Sequence, residues 1–334
     1  MLLPFSASSG LVTPVREVIV PVRFDVTTLS ASAQLLAWRE RVGQFVDVEV
    51  SRARTQIPFN AWFDRYAVGD YVFVNCYSDH VALERSIGRI SRDNARSITF
   101  HVFFRGDPAT ILRHRGNRHD APADVGVLAA DLEQPLRWAR QLSWHANIFV
   151  PARRLQAQFI DPGILHGRCL VVGSPDVLLI TEMTRAYARD VRQMTVQEAH
   201  FRLERIIDLI GNAYGKDLGL GPSAQAVARE RAMNRARRYI HEHLFESDLT
   251  PERVLRVSGL SRASLYRLFE HQGGLAAYIR DLRLRAAATD LVRLPDLPIK
   301  DIAYSVGFKS ASDFSRAFRR AFDTTPQELR GELI

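Results

Sequence analysis

The sequence predicts an α+β chain, a β-rich N-terminal unit followed by an all-α C-terminal unit. Three observations predict it. Short, often alternating segments rich in Val, Ile and Phe fill the stretch from about residue 45 to 132, the apolar period becomes helical from Pro175, and a helix–glycine turn–helix pattern is written twice between Leu249 and Arg330. A chain of 334 residues exceeds the usual size of one core, and 46% hydrophobic residues suffice to fill two. The glycines and Pro222 in GKDLGLGPSAQAVA mark the expected linker, which gives units of residues 1–222 and 223–334.

The elements follow in order. Pro4, Pro14 and Pro21 suggest a loosely held arm or an edge strand over residues 1–26. SASAQLLAWRERV then sets Leu35, Leu36, Trp38 and Val42 on one helical face. FVDVEVSRA, DYVFVNCYS, VALERSIGRISR, SITFHVFFRG and DVGVLAADL read as strands between turn residues. His114 and His119, with Arg113, Arg115 and Arg118, read as a basic loop. Two amphipathic helices follow, PDVLLITEMTRAYARDV and TVQEAHFRLERIIDLIGNAYG. Phe201, Leu203, Ile206, Ile207, Leu209 and Ile210 give the second a broad apolar face suited to a core or a subunit interface.

The C-terminal repeat pairs PERVLRVSGLSRASLYRLFEHQ with IKDIAYSVGFKSASDFSRAFRRAF. Val254 matches Ile302 and Gly259 matches Gly307 at a spacing of 48; Leu265, Arg267 and Phe269 match Phe314, Arg316 and Phe318 at 49. The glycines make a tight turn cheap, because a positive φ costs them little. Leu260 and Phe308 follow as plugs between the paired helices, and small Ala303 permits close approach where the first copy has Leu255. Thr250 before Pro251 reads as an N-cap; Ser310 with Asp313 and Thr325 with Glu328 read as capping boxes. GLAAYIRDLRLRAAATDLVRL joins the copies as one helix of about 30 Å, close to the roughly 34 Å of one DNA turn.

Charge points the same way. The chain carries 45 Lys+Arg against 37 Asp+Glu, and residues 229–334 account for +5 of the net +8. A positive excess on two helix-turn-helix motifs predicts contact with double-stranded DNA. The outward residues of the second helix in each copy are the candidate groove readers: Arg262, Ala263, Ser264, Tyr266 and Arg267, then Ala311, Ser312, Asp313, Ser315, Arg316 and Arg319, with Arg320 and Arg319 suited to phosphate.

These residues also carry a resemblance. Asp301, Ile302, Ala303, Val306, Gly307 and Phe308, then Ser312, Phe314, Ser315, Arg316, Phe318, Arg319, Arg320 and Phe322, then Thr325, Pro326 and Arg330, resemble the C-terminal DNA-binding domain of AraC/XylS-type transcription regulators. The resemblance covers about residues 229–332 and implies groove contacts at Ala263, Tyr266, Arg267, Ala311, Ser312, Ser315 and Arg316. Asp323 stands where that family usually has glycine, and Leu329 where it usually has an aromatic. ANIFVPARRL, ILHGRCL and the two helices resemble the family's AraC-binding-like sensor domain, which implies a small cupin-like barrel with a helical dimerisation element.

The expected protein is a cytoplasmic, effector-responsive transcription activator, a homodimer whose partners are promoter DNA, a small-molecule effector and RNA polymerase. Two rivals stand beside it. In one, the N-terminal unit only dimerises or meets polymerase, without a ligand; aromatics such as Phe73, Phe103, Phe104, Trp138 and Trp144 fit a pocket or plain packing equally. In the other the barrel is a cupin-like metal enzyme, which needs His-x-His at strand spacing. The β region has none, His101, His145 and His166 are isolated, and His241 with His243 diverge on a helix. No enzyme activity, catalytic residue, metal or cofactor is therefore expected. Cys76 and Cys169 are too few for a disulfide scaffold and read as reduced thiols. No segment has the roughly 18 apolar residues of a membrane span.

Overall fold

A computed structural model of the chain describes residues 18–93, 95–106, 111–114, 117–120, 124–156, 158–159, 161–219, 224–270 and 273–331, without the side chains of 105–106, 111–114, 117–120, 224–231 and 267. Two antiparallel sheets form the N-terminal unit. The seven-stranded sheet runs β1 (Val22–Asp25), β3 (Ala61–Val68), β4 (Tyr71–Ser78), β11 (Ser143–Pro151), β6 (Ser97–Gly106), β9 (Val125–Asp131), β12 (Cys169–Val171). The five-stranded sheet runs β2 (Asp47–Val48), β5 (Val81–Arg85), β10 (Leu136–Arg140), β7 (Ile111–His114), β8 (Asn117–Asp120). Side chains alternate across a strand, so each sheet contributes one face to a shared core: Phe63, Cys76, Phe103 and Leu128 from the larger, Val81, Leu83, Leu136 and Trp138 from the smaller.

Helix α1 (Ala31–Val42) buries Leu35 and Trp38 in that core, and Leu36 faces outward. The outer face of the larger sheet is covered by α4 (Pro175–Asp190) and α5 (Val196–Asp217), after the single turn α3 (Ala152–Leu155). Thr195 and Glu198 close a reciprocal capping box on α5, whose Leu203, Ile206, Ile207 and Ile210 are buried. Phe201 of the same apolar set is 62% exposed, because it lies on the side turned from the sheet.

Two expectations need correction. VALERSIGRISR is not one strand: after β5, Ser86 caps a helix α2 (Ile87–Arg92), accepting a hydrogen bond from the Arg89 amide at 3.3 Å. The expected basic loop is a hairpin in its backbone, β7 pairing β8 with Leu112 opposite His119, while Arg115 and the side chains around it lie outside the described set. Residues 1–17 of the expected arm lie outside the described residues, and Val22–Asp25 forms the edge strand against β3. The expected boundary near Ser223 also falls outside them.

Beyond it the described residues form seven helices: α6 (Ala224–Glu242), α7 (Pro251–Ser258), α8 (Arg262–Leu268), α9 (Leu275–Arg293), α10 (Ile299–Ser305), α11 (Ala311–Phe322) and α12 (Pro326–Gly331). Helix α9 serves two cores. Its Leu275, Tyr278 and Ile279 pack with Val254, Leu265 and Phe269 of the first motif, and its Leu284, Ala287, Ala288 and Leu291 with Ile302, Phe314 and Phe318 of the second.

The two units touch along α9. Ile87 and Ile90 of α2 enter the same cluster as Leu284, Ala287 and Leu291. The Tyr278 hydroxyl donates to the Asp161 carboxylate, and His241 stands 3.9 Å from the same group. Burial pushes the Asp161 carboxyl up, but His241, Arg237 and Tyr278 together hold it below its ordinary value. A cleft of about 300 Å³ opens beside this contact, lined by Ile90, Arg96, Asp131, Glu133, Arg285 and Thr289 among others.

Candidate DNA interface

Each motif turns on a glycine into a capped second helix, and the first motif also opens on a capped helix. In the first, Thr250 Oγ1 accepts from the Arg253 amide at 3.4 Å with Pro251 at the first helical position. Gly259 then reverses the chain at φ +69°, and Ser261 Oγ accepts from the Ser264 amide at 3.2 Å to start α8. In the second, Gly307 turns at φ +86° and Ser310 Oγ accepts from the Asp313 amide at 3.2 Å to start α11. Caps of this kind contribute about 1 kcal/mol each, so both helices are fixed at the end that faces outward from the turn. The cap at Ser261 is one the sequence reading missed, although the Ser-x-x-Ser spacing was there to see.

The inner faces are apolar. Val254 and Ile302 are fully buried at equivalent positions, as is Ala303 where α10 meets its partner helix. Leu255 is partly buried, and Ser258 just before the turn glycine is fully buried, its hydroxyl donating to Leu255 O at 3.1 Å. Phe308 stacks edge-on against Phe314 at 5.3 Å, and Phe314 and Phe318 have no exposed surface. The reciprocal capping box forms at Thr325 and Glu328, with bonds of 2.7 and 3.1 Å. At Ser310 only the serine half forms, because the Asp313 carboxylate pairs with Arg316 one turn on.

The outward residues divide by what they already touch. Arg262, Ala263 and Tyr266 of α8 are exposed, Tyr266 by 60%. Ser264 shares a hydrogen bond with Ser261 at 2.9 Å, and the Arg267 side chain lies outside the described set. On α11, Ser312, Asp313, Arg316, Arg319 and Arg320 are exposed. Ala311 is partly buried against the second core, and the Ser315 hydroxyl donates back to Ala311 O at 3.0 Å. Ser315 thus offers an acceptor lone pair more readily than a proton. Lys309, just before α11, is an exposed cation the sequence reading did not single out.

The two motifs sit at the two halves of α9, whose 19 residues span about 28 Å. Among the described residues there is no group of three or more His, Cys, Asp or Glu placed to hold a metal, and no helix long and apolar enough to cross a membrane.

Paired helix-turn-helix motifs on a shared helix, each presenting a capped and polar second helix, define a DNA-binding protein of the double-motif class. Comparison with known proteins names that class. The family described as "Helix-turn-helix domain" matches residues 254–332. The Escherichia coli (strain K12) regulatory protein SoxS is 43% identical over 98 residues, which are 28% of this chain and 89% of SoxS. The transcriptional activator NphR of Rhodococcus sp is 31% identical over 127 residues, 38% of this chain and 37% of NphR. Among solved structures, the AraC-like transcriptional activator CuxR shares the fold with a TM-score of 0.51 at 23% identity, over 81% of this chain and 96% of CuxR. The chain belongs to the AraC/XylS-type transcription regulators, and it is a DNA-binding regulator.

Proposed function

We propose that this regulator is an effector-responsive activator in which α8 and α11 enter successive major grooves of promoter DNA. The observation that carries this reading is α9, because its opposite halves are built into the cores of the two motifs and so hold the two helices at a fixed separation. Direct readers are Ala263, Tyr266 and Arg267 in the first groove and Ser312, Ser315 and Arg316 in the second. Arg262, Ser264, Ala311 and Asp313 flank them, and Arg319 and Arg320 meet phosphates. The units divide at residues 222 and 223. The N-terminal unit senses and dimerises, and Leu178, Leu179 and Phe201, all about half exposed or more on α4 and α5, suit the face that meets a second copy. Its grip on α9 through α2 and Asp161 supplies the route by which an effector changes how the motifs engage DNA and RNA polymerase in the cytoplasm.

Quantitative footprinting of the full chain on genomic promoter fragments, from about 50 to 200 mM salt, tests this. A specific complex should protect two major-groove patches one turn apart and weaken steeply with salt, by on the order of a thousandfold for six or more phosphate contacts. Arg316→Ala should cost about 1–3 kcal/mol and relax preference at one base pair. Uniform weakening on every sequence would make Arg316 a phosphate contact, and no specific protection at all would overturn the reading.

A further inference from the structure

Between the two sheets lies a positive charge with no negative one to meet it among the described residues. Arg140 points inward from β10 and is 8% exposed; one of its terminal nitrogens contacts His145 Nε2, and its Nε has no partner. Trp138, two residues earlier on the same face, buries an indole N–H with no acceptor. From the opposite sheet, Ser78 brings a hydroxyl that is 1% exposed and also unpartnered. The register groups them: Ser78 lies opposite Ser143, Cys76 opposite His145, and Asn147 opposite His101. The ring of His101 is 6.1 Å from Trp138, and that of His145 is 5.8 Å from Phe103.

None of these neighbours supplies an anion. Burial pushes the Cys76 thiol up to about 12. Burial and the nearby Arg140 lower His101 to about 3, and the same two causes hold His145 well below its ordinary value. Both imidazoles are therefore neutral. Arg85, equally buried on β5, shows how this fold treats a structural guanidinium: the Asp93 carboxylate accepts two bonds at 2.8 Å, and the Leu132 and Phe45 carbonyls accept two more. An uncompensated buried charge and orphaned donors are both costly, so Arg140, Trp138 and Ser78 on facing walls describe a site whose acceptor comes from outside the chain.

We propose that the interior between the sheets around Arg140 binds a small organic carboxylate, its two oxygens facing Arg140 and the neighbouring Trp138 and Ser78 donors, its apolar part against Phe103 and Trp138. One guanidinium among neutral donors balances a single negative charge, and leaves a doubly charged phosphate undercompensated. The inference names the chemical class of effector for the reading above and rests on it.

Calorimetry of the full chain with acetate, butyrate and benzoate, each beside its neutral amide, and with inorganic phosphate, tests the site; promoter footprinting runs in parallel. At least one carboxylate should bind, its amide should not, and Arg140→Met should weaken binding on the order of tenfold to a hundredfold. Arg140→Lys should restore part of it. Without ligand, Arg140→Met should melt no lower than the parent protein, since it relieves an unpaired charge, whereas loss of a structural arginine lowers the melting temperature. Should Arg140→Met fail to fold, Ser78→Ala carries the same comparison with a smaller loss of a few fold. Amides binding as well as acids, phosphate binding better than any carboxylate, undiminished binding in these variants, or no carboxylate binding would each overturn the proposal. Arg140-dependent binding that leaves the footprint unchanged keeps the site and removes the effector-responsive reading instead.

Discussion

Gly259 and Gly307 hold the same place in the two motifs but not the same surroundings, so alanine at each separates the cost of backbone strain from the cost of crowding. Both lie at positive φ, 69° and 86°. An L-residue held there costs about 1–2 kcal/mol, offset by about 0.4–1 kcal/mol because alanine stiffens the unfolded chain. At Gly259 the nearest atom to a new methyl group is Arg235 Nη2 at 3.7 Å, an ordinary contact. At Gly307 the methyl group would stand 2.9 Å from the Phe245 carbonyl oxygen and 3.0 Å from Arg283 Cζ. Arg283 cannot easily withdraw, because it donates to Leu244 O at 2.8 Å, Gly307 O at 3.1 Å and Glu246 O at 2.5 Å. Giving up one or two of these adds about 1–3 kcal/mol. Gly259→Ala is therefore expected to cost about 1 kcal/mol and Gly307→Ala about 3 kcal/mol. Urea denaturation of the full chain followed by far-UV circular dichroism measures the difference. All four tryptophans, at positions 38, 62, 138 and 144, belong to the N-terminal unit, so their fluorescence serves as an internal control. Equal costs at the two sites, or a larger cost at Gly259, would refute the reasoning.

Three other predictions follow from particular contacts. Tyr278→Phe removes the hydroxyl that meets Asp161; a bond to a charged acceptor is worth about 1.5–3 kcal/mol, so hydrogen exchange should quicken in α2 and the first half of α9, and unchanged exchange would show that the contact does not hold the units together. His101 is neutral in the fold and titrates near its ordinary 6.5 when unfolded, so below about pH 6.5 the unfolded chain takes up a proton that the fold refuses until about pH 3. Stability should fall with acid by about 1.4 kcal/mol per pH unit for this group, a slope that His101→Gln should reduce and that denaturant titrations at pH 7.5, 6 and 5 would measure. Asp323 adopts a left-handed backbone at φ +55°; Asp323→Gly should stabilise α11's end by about 0.5–1 kcal/mol, and a lowered melting temperature would count against that account.

The site was legible in the sequence where its determinants are local. Caps at Thr250 and Ser310, the turn glycines and the apolar spacing of α11 depend on residues within a few positions of each other, and the structure places them as read apart from the Asp313 half of the Ser310 box. The glycine usual at position 323 makes physical sense too, since the one non-glycine residue at positive φ among the described residues sits there. What each outward side chain already holds was not legible. The Arg316 contact with Asp313 and the back-bonded Ser315 hydroxyl depend on rotamers that spacing leaves open.

The sequence alone determined that two helix-turn-helix motifs follow a β-rich unit, because period, caps and turn chemistry are written over short stretches of chain. Only the tertiary structure decided that Arg140 stands among Cys76, His101 and His145, that α2 is a helix resting on α9, and that Asp161 meets Tyr278 across 117 positions. Such contacts join strands and helices whose separation in sequence carries no period. Their partners are chosen by which sheet faces which, and the packing of the whole chain sets that.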